Sequence, residues 1–419
     1  MDQVSQILPL VILVGLIWAV RRIGSRIGID LQMAKPSSSV LLACAWGIVA
    51  IAAANWPFLN RRAWLLSMSD SLSGLGQVAA LLLMFHSGLC VRSHGPRALP
   101  IRGVWISTAT VGAGIVGGWW VAAVLGFAWE VGVFVAAVAV VPSLVALASP
   151  TEPGLSEKSD TPLPGIALRR WTAGIVIGCV IVVAALHRGV VPLSGQAAHL
   201  RTLLLLGKTA LFFGLAWILG SRFAKRLAET TNSTLSTRFL IGFALMSAVI
   251  YGYAAEFLGQ LVGLAWAYLA GALFGRTGYR SEVEKGASWL AHTFCLPLLF
   301  IAAGLNTEIV HVNGGVLLLF TLPVAIRALG EALIAKRERQ DWRVSLRTGV
   351  SATPQGEMGV ILATYGLAET LTARPEFSVL VIGTLVTTLI AIAFPQLSKG
   401  SATNPFLVGK TRSAEGSLG

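Results

Sequence analysis

A proline, three glycines and a carboxylate interrupt an apolar run that extends from about Val344 to Leu367. The interruption is the segment from Gly349 to Gly359, which has the sequence GVSATPQGEMG. Pro354 removes a backbone donor and clashes with the carbonyl four residues earlier, so the sequence predicts that a helix breaks there. Broken backbone at membrane depth is stable only where it is buried in protein or lines a wet cavity. In secondary transporters such breaks bind the substrate.

The composition is that of a chain that crosses the lipid bilayer many times. Hydrophobic residues make up 55% of the sequence, charged residues make up only 12%, and the mean hydropathy is +0.74. These values exclude a soluble domain. Thirteen apolar runs have about the length needed to cross roughly 30 Å of hydrocarbon. We predict membrane-spanning helices at residues 4–20, 38–56, 73–90, 103–127, 131–150, 166–186, 202–220, 238–256, 259–275, 287–305, 313–335, 344–367 and 376–396.

The distribution of Lys and Arg indicates how the chain is oriented in the membrane. With the N-terminus outside, twenty-five of the 32 basic residues fall in cytoplasmic segments and helix ends, and five fall in outer segments. Cytoplasmic segments of membrane proteins carry such an excess. The sequence therefore predicts a multi-pass protein of the cell inner (plasma) membrane, with its N-terminus outside and its C-terminus in the cytoplasm. The net charge of +13 reflects this asymmetry, and we expect no nucleic acid as a partner.

Two segments of the sequence are near copies of each other. LLMFHSGL ends the third predicted span at Leu82–Leu89, and LLFIAAGL ends the tenth at Leu298–Leu305, 216 residues later (304 − 88). Helices three and ten are seven apart, and an odd offset means that the copies cross the membrane in opposite directions. The sequence therefore predicts inverted repeats made of helices 1–6 and 8–13. Together with helix 7 they form one transmembrane domain at residues 1–398, followed by a short cytoplasmic tail at residues 399–419.

The repeat also predicts a second break. An offset of 216 residues, counted back from Pro354, leads to residue 138, and Pro142-Ser143 stands four residues later in the middle of the fifth span. Pro142 is therefore the predicted break in the first repeat. Ser149-Pro150-Thr151 is the alternative, although it lies near the inner end of the span.

The sequence contains no enzyme or metal-site motif in the structural context that such a motif requires. Gly112–Gly117 matches a dinucleotide fingerprint, but it lies inside an apolar span with no preceding strand. Gly207-Lys208-Thr209 lacks the first glycine of a phosphate loop. There is no His-Glu-x-x-His, paired-cysteine or nucleophile-elbow motif. We therefore expect a protein that is not an enzyme and that has no cofactor and no metal site.

Four segments together resemble the bacterial Kef-type and NapA-like cation/proton antiporters, a sodium/hydrogen exchanger-like family. Leu82–Leu89 is similar to the family's LLF-x-x-GL, and Leu261–Leu273 (LVGLAWAYLAGAL) is similar to GxxxAFLAGL. Leu296–Leu305 (LPLLFIAAGL) is the third match, and Pro354–Glu357 (PQGE) is similar to PRGE. The segments follow the family's order and spacing, and the resemblance covers roughly residues 70–398.

The resemblance implies an all-α polytopic membrane protein of the NhaA-like antiporter fold, with two inverted repeats and two broken helices. It implies a secondary-active antiporter that carries a monovalent cation, Na⁺ or K⁺, against H⁺ by alternating access. It also implies a homodimer in the lipid bilayer. Two other functions stay open at this point. One is a transporter of the same fold for a neutral or anionic solute, and the other is a family member that does not transport but acts as a sensor or assembly partner.

Two residues of the family's pattern are missing from this sequence. The resemblance places an ion-binding aspartate in the sixth span, but residues 171–186 contain no carboxylate, and Gln355 replaces the arginine of PRGE. Exchange of a cation for a proton needs a group for which both ions compete, normally a carboxylate. Glu357 is the best candidate, because it lies halfway along its span near the positive end of a half-helix. The alternative is a structural ion pair of Glu357 with Arg327 or Lys208.

Polar residues near the two predicted breaks complete the candidate site. The candidates for binding the cation or the proton are Glu357, Gln355, Thr353, Ser351, Ser143 and Arg327. Arg327 either pairs with Glu331 one turn later in its helix or substitutes for a bound cation. His86 is interpreted as a packing residue in preference to a proton relay. His292 is expected near a helix end, where a solvated role is sufficient.

Overall fold

The computed structural model describes residues 36–55, 63–90, 101–143, 164–190, 237–259, 263–277, 280–309, 313–337, 342–351 and 353–397, and six single positions between 204 and 222. This part of the chain is helical and contains no strand. The helices are α1 (Pro36–Asn55), α2 (Ala63–Leu89), α3 (Ile101–Leu125), α4 (Trp129–Val140), α5 (Pro164–Val190), α6 (Thr237–Gly259), α7 (Gly263–Phe274), α8 (Arg280–Leu305), α9 (Gly314–Arg337), α10 (Trp342–Ser351), α11 (Gly356–Ala368) and α12 (Arg374–Leu397).

Eleven of the thirteen predicted spans coincide with these helices. The other two, residues 4–20 and 202–220, lie outside the described residues apart from single positions of the second, so the count of thirteen stays a prediction. Apolar composition identifies the helices because a segment in hydrocarbon must satisfy its backbone polar groups internally. The all-α fold expected from the sequence is confirmed.

The start of α8 differs from the prediction. The helix begins at Arg280, well before the predicted start at residue 287, and a π-helical turn occupies Ala291–Cys295. Its first turns are amphipathic, with Val283 buried and Glu282 exposed. The charged face lowers the mean hydropathy of these turns, and the predicted start of the helix depends on that hydropathy. His292 therefore lies about three turns inside the helix, and its expected position near a helix end is wrong.

Several described helices are suited to a lipid environment. Five of them, α2, α3, α8, α9 and α12, contain stretches long and apolar enough to cross a membrane. Helix α3 exposes large apolar side chains along its length, including Trp105 (71% exposed), Val116 (62%) and Trp120 (60%). In water such a surface would be unfavourable, but against lipid tails it has no cost. The chain is a multi-pass membrane protein.

The packing of the helices repeats with the predicted offset of 216 residues. A Cβ atom on Gly88 would collide with the carbonyl oxygen of Tyr268 in α7 and would lie 2.9 Å from the amide nitrogen four residues later. A Cβ atom on Gly304 would lie 2.7 Å from the carbonyl oxygen of Gly47 in α1 and 3.3 Å from the amide nitrogen four residues later. Each glycine thus allows the same close approach of two helix backbones.

Helix neighbours follow the same symmetry. The contact of α2 with α7 corresponds to the contact of α8 with α1. In the same way, the pair α3–α4 corresponds to α9–α10, and the pair α4–α5 corresponds to α11–α12. The contacting pairs that join the two halves include α2 with α7, α1 with α8, α2 with α8 and α3 with α9. This correspondence supports the division into two structural repeats, which stays a prediction. The symmetry brings α4 and the pair α10–α11, which are the equivalent elements of the two repeats, against each other.

Candidate functional site

The first interruption is, in the described residues, the non-helical segment that follows the last residue of α4, Val140. Val141 is extended, with φ −68° and ψ 133°, and the chain stays non-helical through Ser143. Pro142 explains this conformation, because a proline disfavours the helical region for the residue before it. The chain beyond Ser143, including the alternative break at Ser149-Pro150-Thr151, lies outside the described residues.

The second interruption separates α10 from α11. Helix α10 ends at Ser351, Thr353 to Gln355 are non-helical, and α11 begins at Gly356. Pro354 cannot donate a backbone hydrogen bond to the preceding turn. Gly356 has φ +50°, a left-handed conformation that is costly for a residue with a Cβ atom. A proline and a glycine thus stop one helix and start the next.

The two interruptions contact each other directly through Ser143. Its backbone N–H donates to the carbonyl oxygen of Pro354 at 2.8 Å. Its hydroxyl donates to Oε2 of Glu357 at 2.6 Å. A Cβ atom on Gly356 would lie only 2.7 Å from the Ser143 hydroxyl, so a glycine is needed here for space as well as for φ. Two non-helical segments from different repeats therefore cross at a buried carboxylate.

The last carbonyl groups of α4 receive donors from three different parts of the chain. A helix end leaves four carbonyl groups without intrahelical partners. The Val138 carbonyl accepts the N–H of Val141 at 3.4 Å, and the Ala139 carbonyl accepts Nε2 of Gln355 at 2.6 Å. The Val140 carbonyl accepts Nη1 of Arg327 from α9. A positive side chain thus lies at the negative end of the α4 dipole.

Helix α12 supplies hydroxyl groups to the second interruption. The N–H of Gly356 donates to Oγ1 of Thr388 at 3.1 Å, and the Thr388 hydroxyl donates to the Thr384 carbonyl at 2.6 Å. The Thr387 hydroxyl donates to Oε1 of Gln355. These threonines are absent from the candidates predicted from the sequence. Their spacing on one helical face of an apolar span is the signal that could have identified them.

Glu357 and Arg327 are the buried charged residues of the site. The side chain of Glu357 is fully buried and that of Arg327 is 2% exposed, and no other Asp, Glu, Lys or Arg is buried among the side chains that the structure describes. Glu357 lies in the first turn of α11, where the helix dipole favours a negative charge. Ser143 and Val140, which bind the two charged side chains, bracket one short extended segment.

The remaining predicted residues have more local contacts. The hydroxyl groups of Ser351 and Thr353 donate to carbonyl groups of the preceding turn, at 2.9 Å and 2.7 Å. His86 lies edge to face with His292, with 5.6 Å between the ring centroids. Helix α5 contains no Asp or Glu between Pro164 and Val190. Of the six predicted binding residues, the structure thus groups Glu357, Gln355, Ser143 and Arg327 around the end of α4.

The chemistry available at this crossing is the binding of a small cation. A carboxylate flanked by a hydroxyl group and a helix N-terminus can hold a proton or a monovalent cation. In the described residues no three His, Cys, Asp or Glu side chains come together as a transition-metal site would require. An intramembrane acid is a functional candidate by default, because an uncompensated charge there is costly.

Comparison with known proteins gives matches along nearly the whole chain. The family described as "Sodium/hydrogen exchanger, transmembrane" matches residues 9–397. The Na(+)/H(+)-K(+) antiporter GerN of Bacillus cereus is 24% identical over 328 residues, covering 77% of this chain and 82% of that protein. The Na(+)/H(+) antiporter of Enterococcus hirae is 25% identical over 220 residues, covering 52% of this chain and 57% of that protein.

Solved structures with the same fold also exist. The structure of the sodium proton antiporter MjNhaP1 from Methanocaldococcus jannaschii at pH 8 superposes with a TM-score of 0.63. It is 15% identical in sequence, and the match covers 94% of this chain and 97% of that chain. An electron-microscopy structure of the same protein gives a TM-score of 0.62. At this identity the likeness shows the fold alone.

Proposed function

Since this chain belongs to the sodium/hydrogen exchanger family, whose members are transporters and not enzymes, we propose that it exchanges Na⁺ or K⁺ for protons by alternating access, with Glu357 as the group for which the two ions compete. The observation that carries the proposal is the fully buried Glu357 carboxylate, which accepts the Ser143 hydroxyl at 2.6 Å where the two interruptions cross. The narrower Kef-type and NapA-like subtype stays a prediction.

The exchange follows from a single site that holds one ion at a time. The Glu357 carboxylate binds a monovalent cation on one side of the membrane, with the Ser143 hydroxyl as a neutral neighbour. A proton that binds the same carboxylate on the other side neutralises it and releases the cation. The two ions compete for one carboxylate, so the site carries either the cation or the proton across the membrane. This competition couples the movement of one ion to the movement of the other.

Arg327 supports the site without binding the transported ion in this proposal. Its guanidinium donates a hydrogen bond to the Val140 carbonyl. In a broken transporter helix such a carbonyl could otherwise bind a cation. The arginine therefore acts as a resident positive charge at the end of α4. This role develops the substitution for a bound cation, which is one of the two alternatives that the sequence leaves open for Arg327.

Two exposed tryptophans support a position of the crossing near the middle of the membrane. Helix α4 begins at Trp129 (42% exposed) and α10 begins at Trp342 (47% exposed), and tryptophan favours the membrane–water interface. Their lengths of 12 and 10 residues correspond to about 18 and 15 Å. If α4 and α10 enter from opposite faces, as inverted repeats require, they meet near the middle of a roughly 30 Å hydrocarbon layer.

The cellular setting is also part of the proposal. The excess of Lys and Arg in alternate segments supports the inner (plasma) membrane, with the N-terminus outside and the C-terminus in the cytoplasm. The family resemblance supports a homodimer in the lipid bilayer. The proposed transmembrane domain spans residues 1–398, with the tail at residues 399–419 in the cytoplasm.

The decisive experiment is proton flux in vesicles that contain purified Glu357→Gln protein. The amide keeps the shape of the side chain but cannot titrate, so we expect the loss of proton movement driven by Na⁺ or K⁺. Glu357→Asp should retain part of the exchange. Glu282→Gln, which changes an exposed acid at the start of α8, is the matched control and should behave as the unmodified protein.

The same assay includes a test of competition. If both ions bind one carboxylate, the apparent KM for the cation should rise with the proton concentration, by up to tenfold for each pH unit. Full cation-dependent flux in Glu357→Gln would refute the proposed role. The absence of an acid in α5 favours, as the second candidate, transport of a neutral or anionic solute on this fold. That outcome would show solute flux with no dependence on Glu357.

A further inference from the structure

Gln355 connects three helical elements through one side-chain amide. It is fully buried immediately before α11. Its Nε2 donates to the Ala139 carbonyl at the end of α4, at 2.6 Å, and its Oε1 accepts the hydroxyl of Thr387 in α12. Because these two partners belong to different repeats, Gln355 joins the first interruption to the last described helix. No contact within its own non-helical segment explains both bonds.

We propose that Gln355 is a positioning residue, which with Thr387 holds the end of α4 against α12 and thereby sets the distance between Ser143 and Glu357. The inference deepens the proposed function, because it concerns the geometry of the same site. Ala139 lies just before the extended segment that ends at Ser143, and Gln355 lies two residues before Glu357. A displacement of Ala139 therefore moves Ser143, and a displacement of Gln355 moves Glu357, so either one changes the 2.6 Å contact between the Ser143 hydroxyl and the Glu357 carboxylate.

The chemistry of the position favours a neutral amide. The Ala139 carbonyl needs a donor, whereas the Thr387 hydroxyl has one hydrogen, which it can give either to Gln355 Oε1 or to a carbonyl of its own helix at 2.8 Å. When it donates to Gln355, it needs an acceptor there. A guanidinium or ammonium group has no acceptor, and an ionised carboxylate has no donor. An amide alone among side chains of this length satisfies both partners without adding a charge to a site that already holds Glu357 and Arg327.

A second contact with α12 strengthens the connection. The N–H of Gly356, the next residue, donates to Thr388 at 3.1 Å. The side chain of Gln355 and the backbone of Gly356 are therefore both held by consecutive threonines of α12. Movement of α12 during alternating access would therefore displace Gln355 and Gly356, and Gly356 directly precedes the ion-binding Glu357.

The test is a double-mutant cycle with Gln355→Leu, Thr387→Val and the double variant. Each variant is measured for the apparent KM for Na⁺ in vesicles and for thermal unfolding in detergent. We expect Gln355→Leu to raise KM by about tenfold, the scale of a lost buried hydrogen bond. Thr387→Val should raise KM by several-fold. The double variant should equal Gln355→Leu in both measurements, because the valine removes a partner that the leucine has already lost.

The matched control is Thr364→Val, which removes a hydroxyl that bonds only to carbonyl groups of its own helix, at 3.0 and 2.8 Å. It should leave KM unchanged. A merely structural role of Gln355 would lower the maximal rate through loss of folded protein, with KM unchanged, and would overturn the inference. Additive effects of Gln355→Leu and Thr387→Val on unfolding would also overturn it. The proposed function fails separately, if Glu357→Gln retains exchange.

Discussion

Gly356→Ala is the substitution that tests the crossing most directly. The glycine has φ +50°, and a Cβ atom would lie 2.7 Å from the hydroxyl oxygen of Ser143 and 2.8 Å from its Cβ atom. Ser143 cannot simply move away, because its N–H donates to the Pro354 carbonyl and its hydroxyl donates to Glu357. The added methyl group therefore disturbs both bonds that hold the two interruptions together.

The magnitude has two components. A left-handed conformation costs a residue with a Cβ atom roughly 1 to 2 kcal/mol. Overpacking of a closely packed interior by one methyl group costs about 1 to 3 kcal/mol. Gly356→Ala should therefore lower the free energy of unfolding by about 2 to 5 kcal/mol. Cation-driven proton flux should fall as well, because the displaced Ser143 hydroxyl no longer reaches Glu357.

The assay compares thermal unfolding in detergent and proton flux in vesicles with those of Gly178→Ala. Gly178 lies in α5, with no atom within 4 Å of an added Cβ atom, so its replacement by alanine should be neutral or slightly stabilising. Gly356→Ala should melt at a clearly lower temperature than this control. Equal melting temperatures and equal flux would refute both the assigned backbone conformation and the close contact with Ser143.

Three further substitutions test other parts of the structure. Ser143→Ala should raise the apparent KM for the cation by about tenfold or more, since a hydrogen bond to a charged group is worth roughly 1.5 to 3 kcal/mol, and an unchanged cation titration would contradict this. Arg327→Met should lower the free energy of unfolding by about 1 to 3 kcal/mol by leaving the last carbonyl of α4 without its donor, and Arg327→Lys should cost less in the same denaturation assay. Gly88→Ala and Gly304→Ala should both lower the melting temperature relative to Gly74→Ala, where an added Cβ atom meets nothing within 4 Å. Different behaviour of these two glycines would contradict the equivalence of the repeats.

The candidate site was only partly accessible from the sequence. Pro142, Pro354 and Glu357 were identified because a proline or a carboxylate inside an apolar run is conspicuous without any knowledge of its neighbours. Thr387 and Thr388 were missed, because threonine is common in membrane helices and commonly bonds to its own backbone. Only the packing of α12 on the second interruption shows that these hydroxyl groups face Gln355 and Gly356.

The predicted boundaries of the helices show the same limit of sequence analysis. The sequence predicts that α8 starts at residue 287, whereas the helix begins at Arg280. Hydropathy registers the charged side chains of Glu282 and Glu284 but not the buried face that holds Val283 and Ala287. An amphipathic turn at the edge of a membrane helix is stabilised by the neighbours that cover one of its faces. Composition within a short window contains no information about those neighbours.

The sequence by itself determined the membrane class, most of the helices and the places near Pro142 and Pro354 where helices end, and it predicted the internal repeat. These follow from properties of contiguous residues, namely hydropathy over a span, proline chemistry and the recurrence of a motif. The tertiary structure decided which groups meet. Ser143 donates to a carboxylate 214 residues away, and Arg327 donates to a carbonyl 187 residues away. Such partners are selected by the packing of whole helices, which brings together residues that have no relation along the chain.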